Sequence, residues 1–351
     1  MKAAGGDPEQ PRHRGRRVAF RLAAALVGLL LAALTGEVVV RLAGVTAEPR
    51  RHFRPGIYRE DPELGWTLLP GYRGAHMEHD AAVPTTTNQE GFRGPEWDPA
   101  RAGAALRVLA LGDSCTFGRG VEDGDTWPAQ LEARLRARGL DAAAWNAGVM
   151  GYDTVAEARL LRRLGPRVRP QVVVVMWLPN DATEPWEEAR RASQVIDGQL
   201  VNDLEKYLEW KGKIEHRGLH RSALYRFVNT RAKLLRAARF DWSGQVGPEQ
   251  LAPCLEALGD IARQCRELSA RPVLVTLPRQ EEVEDPDSSI EHHARVVEAA
   301  RALGFQALDL AAAWRPGGKV DGRWLADDTV HLTAAGYRDV AEALVELVAP
   351  R

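Results

Sequence analysis

Four short groups of residues carry the side chains that acyl chemistry would need. Gly112-Asp113-Ser114 places a hydroxyl directly after an apolar run. Asn146-Ala147-Gly148 ends in a residue without a side chain, where a backbone N–H can approach a ligand closely. In Pro179-Asn180-Asp181, Asn180 offers an amide donor, while Asp181 is suited to capping the helix that follows. Near the end of the chain stands Asp328-Thr329-Val330-His331. A carboxylate three residues before an imidazole can bond one ring nitrogen and leave the other free to take a proton from a hydroxyl. Singly, each group has a blander reading: Asp113 and Ser114 satisfying a turn, Gly148 a turn residue, Asn180 an Asx turn, His331 a loop histidine without a partner. Together they supply a nucleophile, a base, an orienting carboxylate and oxyanion donors, a combination improbable as coincidence.

These groups can act only if the fold brings them together, and the pattern between them provides for it. The runs Val108–Leu111, Ala142–Trp145, Val172–Trp177, Val273–Leu277 and Ala307–Leu310 are short and continuously apolar, as strands covered on both faces are. Helices are predicted between them, from about Trp127 to Arg138 and over Pro248–Ser269. Another opens at Thr154, which has capping-box spacing with Glu157, and a last begins near Thr333 and buries Tyr337, Val340, Leu344 and Leu347. Such alternation implies right-handed crossovers and a parallel sheet with helices on both faces. Ligands of such sheets bind at the carboxyl ends of the strands, and each of the four groups follows a predicted strand.

At this point the chain resembles the SGNH hydrolases, also called the GDSL esterase/lipase family. Gly112-Asp113-Ser114 is similar to the first block of that family, Gly148 to the second, Asn180 to the third, and Asp328 to His331 to its D-x-x-H block. The resemblance covers roughly residues 105–350. The string Gly112-Asp113-Ser114-Cys115-Thr116-Phe117-Gly118-Arg119-Gly120-Val121 and the lead-in Asn88-Gln89-Glu90-Gly91-Phe92-Arg93 resemble the membrane-anchored bacterial branch, although Cys115 replaces the usual larger apolar residue after the serine.

The resemblance implies a flavodoxin-like three-layer α/β/α sandwich around a five-stranded parallel sheet. It also implies an ester hydrolase with Ser114 as nucleophile, His331 as base and Asp328 orienting it. The oxyanion would meet the N–H groups of Ser114 and Gly148 and the amide of Asn180. No cofactor or metal is called for. The implied substrate is an acylated carbohydrate, lipid or other small ester, with short acyl groups such as acetyl favoured. The same residues would also serve an O-acetyltransferase of a cell-surface glycan, or survive in an idle membrane-anchored glycan-binding or assembly protein.

Composition narrows the field further. The 351 residues hold 47 Lys and Arg against 48 Asp and Glu, so no summed positive field exists to hold a nucleic acid. The three cysteines, Cys115, Cys254 and Cys265, form no CxxC pair, and one predicted helix carries the last two about 16 Å apart, beyond disulfide reach. Residues 1–17 form a basic leader expected to lie inside the cell, and 18–44 a membrane anchor or uncleaved signal that places the main domain outside. Residues 45–104 read as a linker and irregular lead-in, and 105–350 as the hydrolase domain.

A mostly helical insertion interrupts that domain at about 184–246 and carries Trp186, Tyr207, Trp210, Tyr225, Phe227 and Trp242. These aromatics read as the insertion's own packing ahead of sugar-stacking platforms, and as the best candidate for a lid over Ser114. Two metal-like clusters rank below the Ser114 set. His292-His293 is expected to be solvated on a charged helix, and Asp321, Asp327 and Asp328 with His331 offer oxygen and imidazole ligands.

Overall fold

The computed structural model describes residues 11–44, 56–78, 81–205, 207, 208, 211, 222–237, 246–318, 322–326 and 328–350. Helix α1 (Pro11–Ala43) comes first. Two antiparallel hairpins follow, β1 (Tyr58–Asp61) with β2 (Gly65–Leu68) and β3 (Arg73–Glu78) with β4 (Ala81–Thr86). After the single turn α2 (Pro99–Ala102) the strands and helices alternate: β5 (Leu106–Leu111), α3 (Ser114–Phe117), α4 (Trp127–Ala137), β6 (Ala142–Asn146), α5 (Thr154–Val168), β7 (Val172–Trp177), α6 (Asn180–Thr183) and α7 (Trp186–Ala192). Hairpin β8 (Gln194–Ile196) and β9 (Gln199–Val201), then α8 (Ala223–Ala237), break the rhythm. It resumes with α9 (Pro248–Glu267), β10 (Arg271–Thr276), α10 (Gln280–Glu284), α11 (Glu291–Ala302), β11 (Gln306–Asp309), α12 (Leu310–Trp314) and α13 (Ala334–Val348).

Five of these strands form one parallel sheet in the order β11-β10-β7-β5-β6. The first of them, β5, has β6 on one side and β7 on the other, which is the flavodoxin-like order, with its switch point between β5 and β7. Their unbroken apolar character follows from burial on both faces. Leu109, Leu111, Val173, Val175 and Leu274 point to the side covered by α5, α9 and α11. Val108, Ala110, Val172, Val174, Val273 and Val275 point to the side covered by α4 and α13. Burying each such side chain contributes roughly 1.5–3 kcal/mol, so the two-faced pattern selects this sheet over one open to water. The three-layer α/β/α architecture is therefore the one expected.

Several local expectations change. Residues 58–86, expected to be irregular, form the two hairpins, and Leu64, Trp66 and Leu68 are buried in the same core as α5. Weak periodicity hid them because each strand is only four to six residues long. Trp66 Nε1 donates to Met150 O at 3.1 Å, and Tyr152 donates its hydroxyl to Trp66 O at 2.5 Å, fastening β2 to the loop before α5. The N-cap of α5 is Asp153, whose carboxylate accepts from Ala156 N–H at 2.9 Å, not Thr154. The Thr154 hydroxyl donates to Asp181 Oδ2 at 2.7 Å, and Glu157 is buried instead of closing a capping box.

The described part of the insertion contains a hairpin as well as helix. Its Trp186 packs into the main core and donates Nε1 to Leu64 O at 3.1 Å, while Trp210 and Trp242 lie outside the described residues. Over Arg16–Ala43, α1 is long and apolar enough to cross a membrane by length and composition, as an anchor or a signal sequence.

Candidate active site at the carboxyl ends of β5 and β7

Ser114 owes its position to the turn that ends β5. Gly112 has φ +153°, in the region that favours glycine, and a Cβ there would lie 2.0 Å from Thr116 Oγ1. Asp113 then caps the short helix α3 by accepting Cys115 N–H at 2.8 Å, so Ser114 becomes the first residue of that helix. Among the described residues the Ser114 N–H has no acceptor, as is usual for a first-turn donor.

The carboxyl-terminal loop brings the imidazole to this turn from 217 positions away. Ser114 Oγ lies 2.8 Å from His331 Nε2, and His331 Nδ1 lies 2.7 Å from Asp328 Oδ2. The other carboxylate oxygen, Oδ1, accepts Val330 N–H at 2.8 Å and His331 N–H at 2.9 Å. Burial pushes the Asp328 carboxyl up, but the hydrogen bonds and charge of the His331 ring and the two backbone N–H groups outweigh it. The group is held well below the usual carboxylate range. An ionised Asp328 accepts from Nδ1–H and leaves Nε2 as the acceptor facing Ser114 Oγ, the tautomer a general base requires.

The amide of Asn180, at the end of β7, donates Nδ2 to Asp113 Oδ2 at 2.9 Å. One of its two amide hydrogens is thereby used and the other stays available. Its Oδ1 is buried without a partner among the described residues. Asp181, expected to cap the next helix, is instead buried behind the site and accepts from Thr154, and the N-cap of α6 is Pro179.

Gly148 lies against the same turn, and a Cβ there would sit 2.2 Å from Phe117 N. Its N–H, however, donates to Asn146 Oδ1 at 3.0 Å. The structure therefore brings Ser114, His331, Asp328 and Asn180 together. It places Gly148 beside them with its N–H directed into its own loop.

Cys115 is buried beneath Ser114, and burial raises its thiol well above the ordinary value, so it packs as a small apolar side chain. Of the acidic cation cluster, Asp321 and Asp327 lie outside the described residues, and Asp328 is committed to His331. His292 and His293 are not solvated: both are buried on α11 against Trp177. Their Nε2 atoms lie 2.8 and 3.2 Å from the two oxygens of buried Glu282 on α10. Burial pushes the Glu282 carboxyl up, but the bonds from both imidazoles hold it far below its usual range. The cluster thus ties α10 to α11 through one buried carboxylate, and Gln280 N–H at the head of α10 donates to Thr329 O at 2.8 Å, steadying the loop that carries His331.

One positioning residue escaped the reading of the four groups. Arg93 is buried under α3 with its guanidinium 4.7 Å from the centre of the Phe117 ring. Its Nε donates to Asp123 Oδ1 at 2.8 Å, Nη1 to Phe117 O at 2.9 Å and Gly118 O at 2.6 Å, and Nη2 to Val121 O at 2.5 Å. It satisfies the carbonyls that α3 leaves open at its end. Its place in Asn88-Gln89-Glu90-Gly91-Phe92-Arg93 was the available signal.

A hydroxyl, an imidazole and a carboxylate thus stand within hydrogen-bond reach of one another at the carboxyl edge of a parallel α/β sheet. The model of the GDSL-like Lipase/Acylhydrolase family matches residues 110–338, and the chain belongs to that family of ester-bond hydrolases. Among solved structures, the crystal structure of TesA is 20% identical with a TM-score of 0.44, over 70% of this chain and 99% of that one. The acetyl xylan esterase AlAXEase is 15% identical with a TM-score of 0.42, over 70% and 100%. A catalytic mutant of Axe2, an acetylxylan esterase from Geobacillus stearothermophilus, is 16% identical with a TM-score of 0.42, over 72% and 97%. No curated protein matches the chain.

Proposed function

We propose that the protein removes short acyl groups from a carbohydrate or lipid ester outside the cytoplasm, through a covalent acyl-enzyme on Ser114. The observation that carries this reading is the 2.8 Å approach of Ser114 Oγ to His331 Nε2. His331 takes the hydroxyl proton as Oγ bonds to the ester carbonyl carbon, then gives that proton to the departing alcohol oxygen. Water, deprotonated by the same imidazole, releases the acid and restores Ser114. Asp328 holds the ring in its tautomer and stabilises the imidazolium.

The Ser114 N–H and the second amide hydrogen of Asn180 meet the oxyanion. Gly148 joins them only by giving up Asn146 Oδ1 as acceptor. Each donor of this kind contributes on the order of 2.7–4 kcal/mol to the transition state. Helix α1 serves as an uncleaved anchor with its amino terminus inside, which puts the hydrolase domain on the outer side.

Full-length protein in detergent, assayed with p-nitrophenyl acetate and with acetylated sugars, tests the assignment. Ser114→Ala and His331→Ala should each lower kcat by about 10⁴-fold or more while leaving the folded circular-dichroism spectrum intact. Turnover at the parent rate in either variant would overturn it.

A further inference from the structure

Among the described residues, the insertion meets α1 just past its long exposed stretch. From Val18 to Thr35 every side chain of α1 is exposed, a stretch of about 27 Å at 1.5 Å per residue, close to the hydrocarbon thickness of a bilayer. Immediately beyond it Gly36 and Glu37 are half-buried and Val40 is buried. These residues lie on one turn, and the amino-terminal end of α8 meets Gly36 and Glu37 there.

Glu37 is the joint. Its carboxylate accepts Ser222 Oγ at 2.7 Å, Ala223 N–H at 3.0 Å and Leu224 N–H at 2.9 Å, and pairs with Arg41. A carboxylate from one helix thus caps the positive end of another, satisfying donors that would otherwise be orphaned. Because α8 covers one turn of α1 and leaves the preceding stretch bare, it crosses α1 at the upper edge of the apolar stretch and does not run back along it.

The exposed apolar side chains point the same way. Among the described residues outside α1, the large apolar side chains left in the open are Leu204, Leu208 and Val228, at 46%, 57% and 56% exposure. All three belong to the insertion. Leu204 and Leu208 stand four apart on helical backbone and so share a face, and Val228 is on α8. Arg231, one turn further along α8, is exposed and lies 5.5 Å from the centre of the Phe227 ring, a cation of the kind that lipid phosphates attract.

We propose that the insertion rests on the lipid headgroup surface, with Leu204, Leu208 and Val228 dipping into the bilayer boundary and Glu37 latching α8 to the anchor. The proposal rests on α1 crossing the membrane. Its consequence is a hydrolase domain held at a fixed tilt over the bilayer instead of swinging freely on a tether.

The test uses the full chain in nanodiscs of phosphatidylcholine and phosphatidylglycerol, with nitroxide labels at Leu208→Cys, Val228→Cys, Leu29→Cys and Glu346→Cys; the three native cysteines are buried. Collision rates with oxygen and with a water-soluble nickel chelate report depth. Leu29→Cys should read as bilayer interior and Glu346→Cys as water, with the two insertion sites between them. Adding Glu37→Ala should move the Val228→Cys label toward water.

Insertion labels that match Glu346→Cys while Leu29→Cys stays in lipid would overturn the proposal and leave the anchor standing. Labels shielded from both collision partners would mean a protein covers this face, which also overturns it, as would a Val228→Cys label indifferent to Glu37→Ala. If Leu29→Cys itself reads as water, the transmembrane reading fails first and the proposal falls with it.

Discussion

The Ser114, His331 and Asp328 atoms are separated by single hydrogen-bond lengths, so in the proposed mechanism each side chain acts through its neighbour, and substitutions at them should not add. Asp328→Asn keeps the shape but turns an acceptor-only group into one that can donate to Nδ1. That would favour the tautomer with its proton on Nε2, facing Ser114, and kcat should fall by about 10⁴-fold with the fold unchanged. Steady-state kinetics checks this, and a loss under tenfold would count against Asp328 as the orienting group. Asn180 differs, because in the proposed mechanism its amide meets charge that develops only as the carbonyl is attacked. Asn180→Ala should lower kcat by about 10²–10³-fold with KM nearly constant. The same substitution frees Asp113 Oδ2 of a donor, so a matching fall in thermal stability would point to a structural role instead.

At the scale of elements, the turn between β5 and α4 is held from below by Arg93, a cation reaching from the segment before the sheet to three carbonyls and Asp123. Arg93→Ala takes the cation from Asp123 and a donor from each carbonyl, but Phe117 O keeps Asn146 Nδ2, Gly118 O keeps Val121 N–H and Asp123 keeps Thr86, so the cost is about 3 kcal/mol, the lower end for a broken buried pair. Urea denaturation measures this loss. If the turn then relaxes, kcat should fall at temperatures where the variant is still folded, and Arg93→Lys should not restore it, since an ammonium cannot span the fork of acceptors. Unaltered kcat with reduced stability would make Arg93 a structural residue only.

The same elements show what the sequence makes legible. The five core strands were readable because burial on both faces writes itself as unbroken apolar runs, and α9 and α13 because one face of each is apolar. The hairpins of residues 58–86 were not, since strands this short, with β1 half exposed, leave little periodicity, and their pairing is decided by Trp66, Leu64 and Leu68 docking on a distant core. The groups around Ser114, Asn180 and His331 could be read as loops at strand ends. The partner taken by Gly148 N–H could not, because a neighbouring amide competes for it within a turn whose shape only the folded chain fixes.

Across the whole molecule, the region behind Asn180 and Asp113 is acidic and buried. Glu157 is fully buried on α5 with neither carboxylate oxygen partnered among the described residues, and Asp181 beside it retains one unpartnered oxygen. Burial first, and then mutual repulsion with neighbouring Asp113 and Asp153, raises both groups well above the ordinary carboxylate range. The folded protein therefore keeps protons that the unfolded chain releases near pH 4. With more protons bound at these two sites in the folded state, their contribution to stability falls as pH rises from about 4 until the folded groups ionise. Glu157→Gln removes one such proton site while keeping the shape. The melting temperature of the variant relative to the parent should thus be near its lowest at pH 4 and rise as the pH is raised above it. Thermal melts at intervals across that range measure it. Curves that run parallel would show that Glu157 is ionised in the folded protein and neutralised by a partner, and this core would then be a charged network rather than a protonated one.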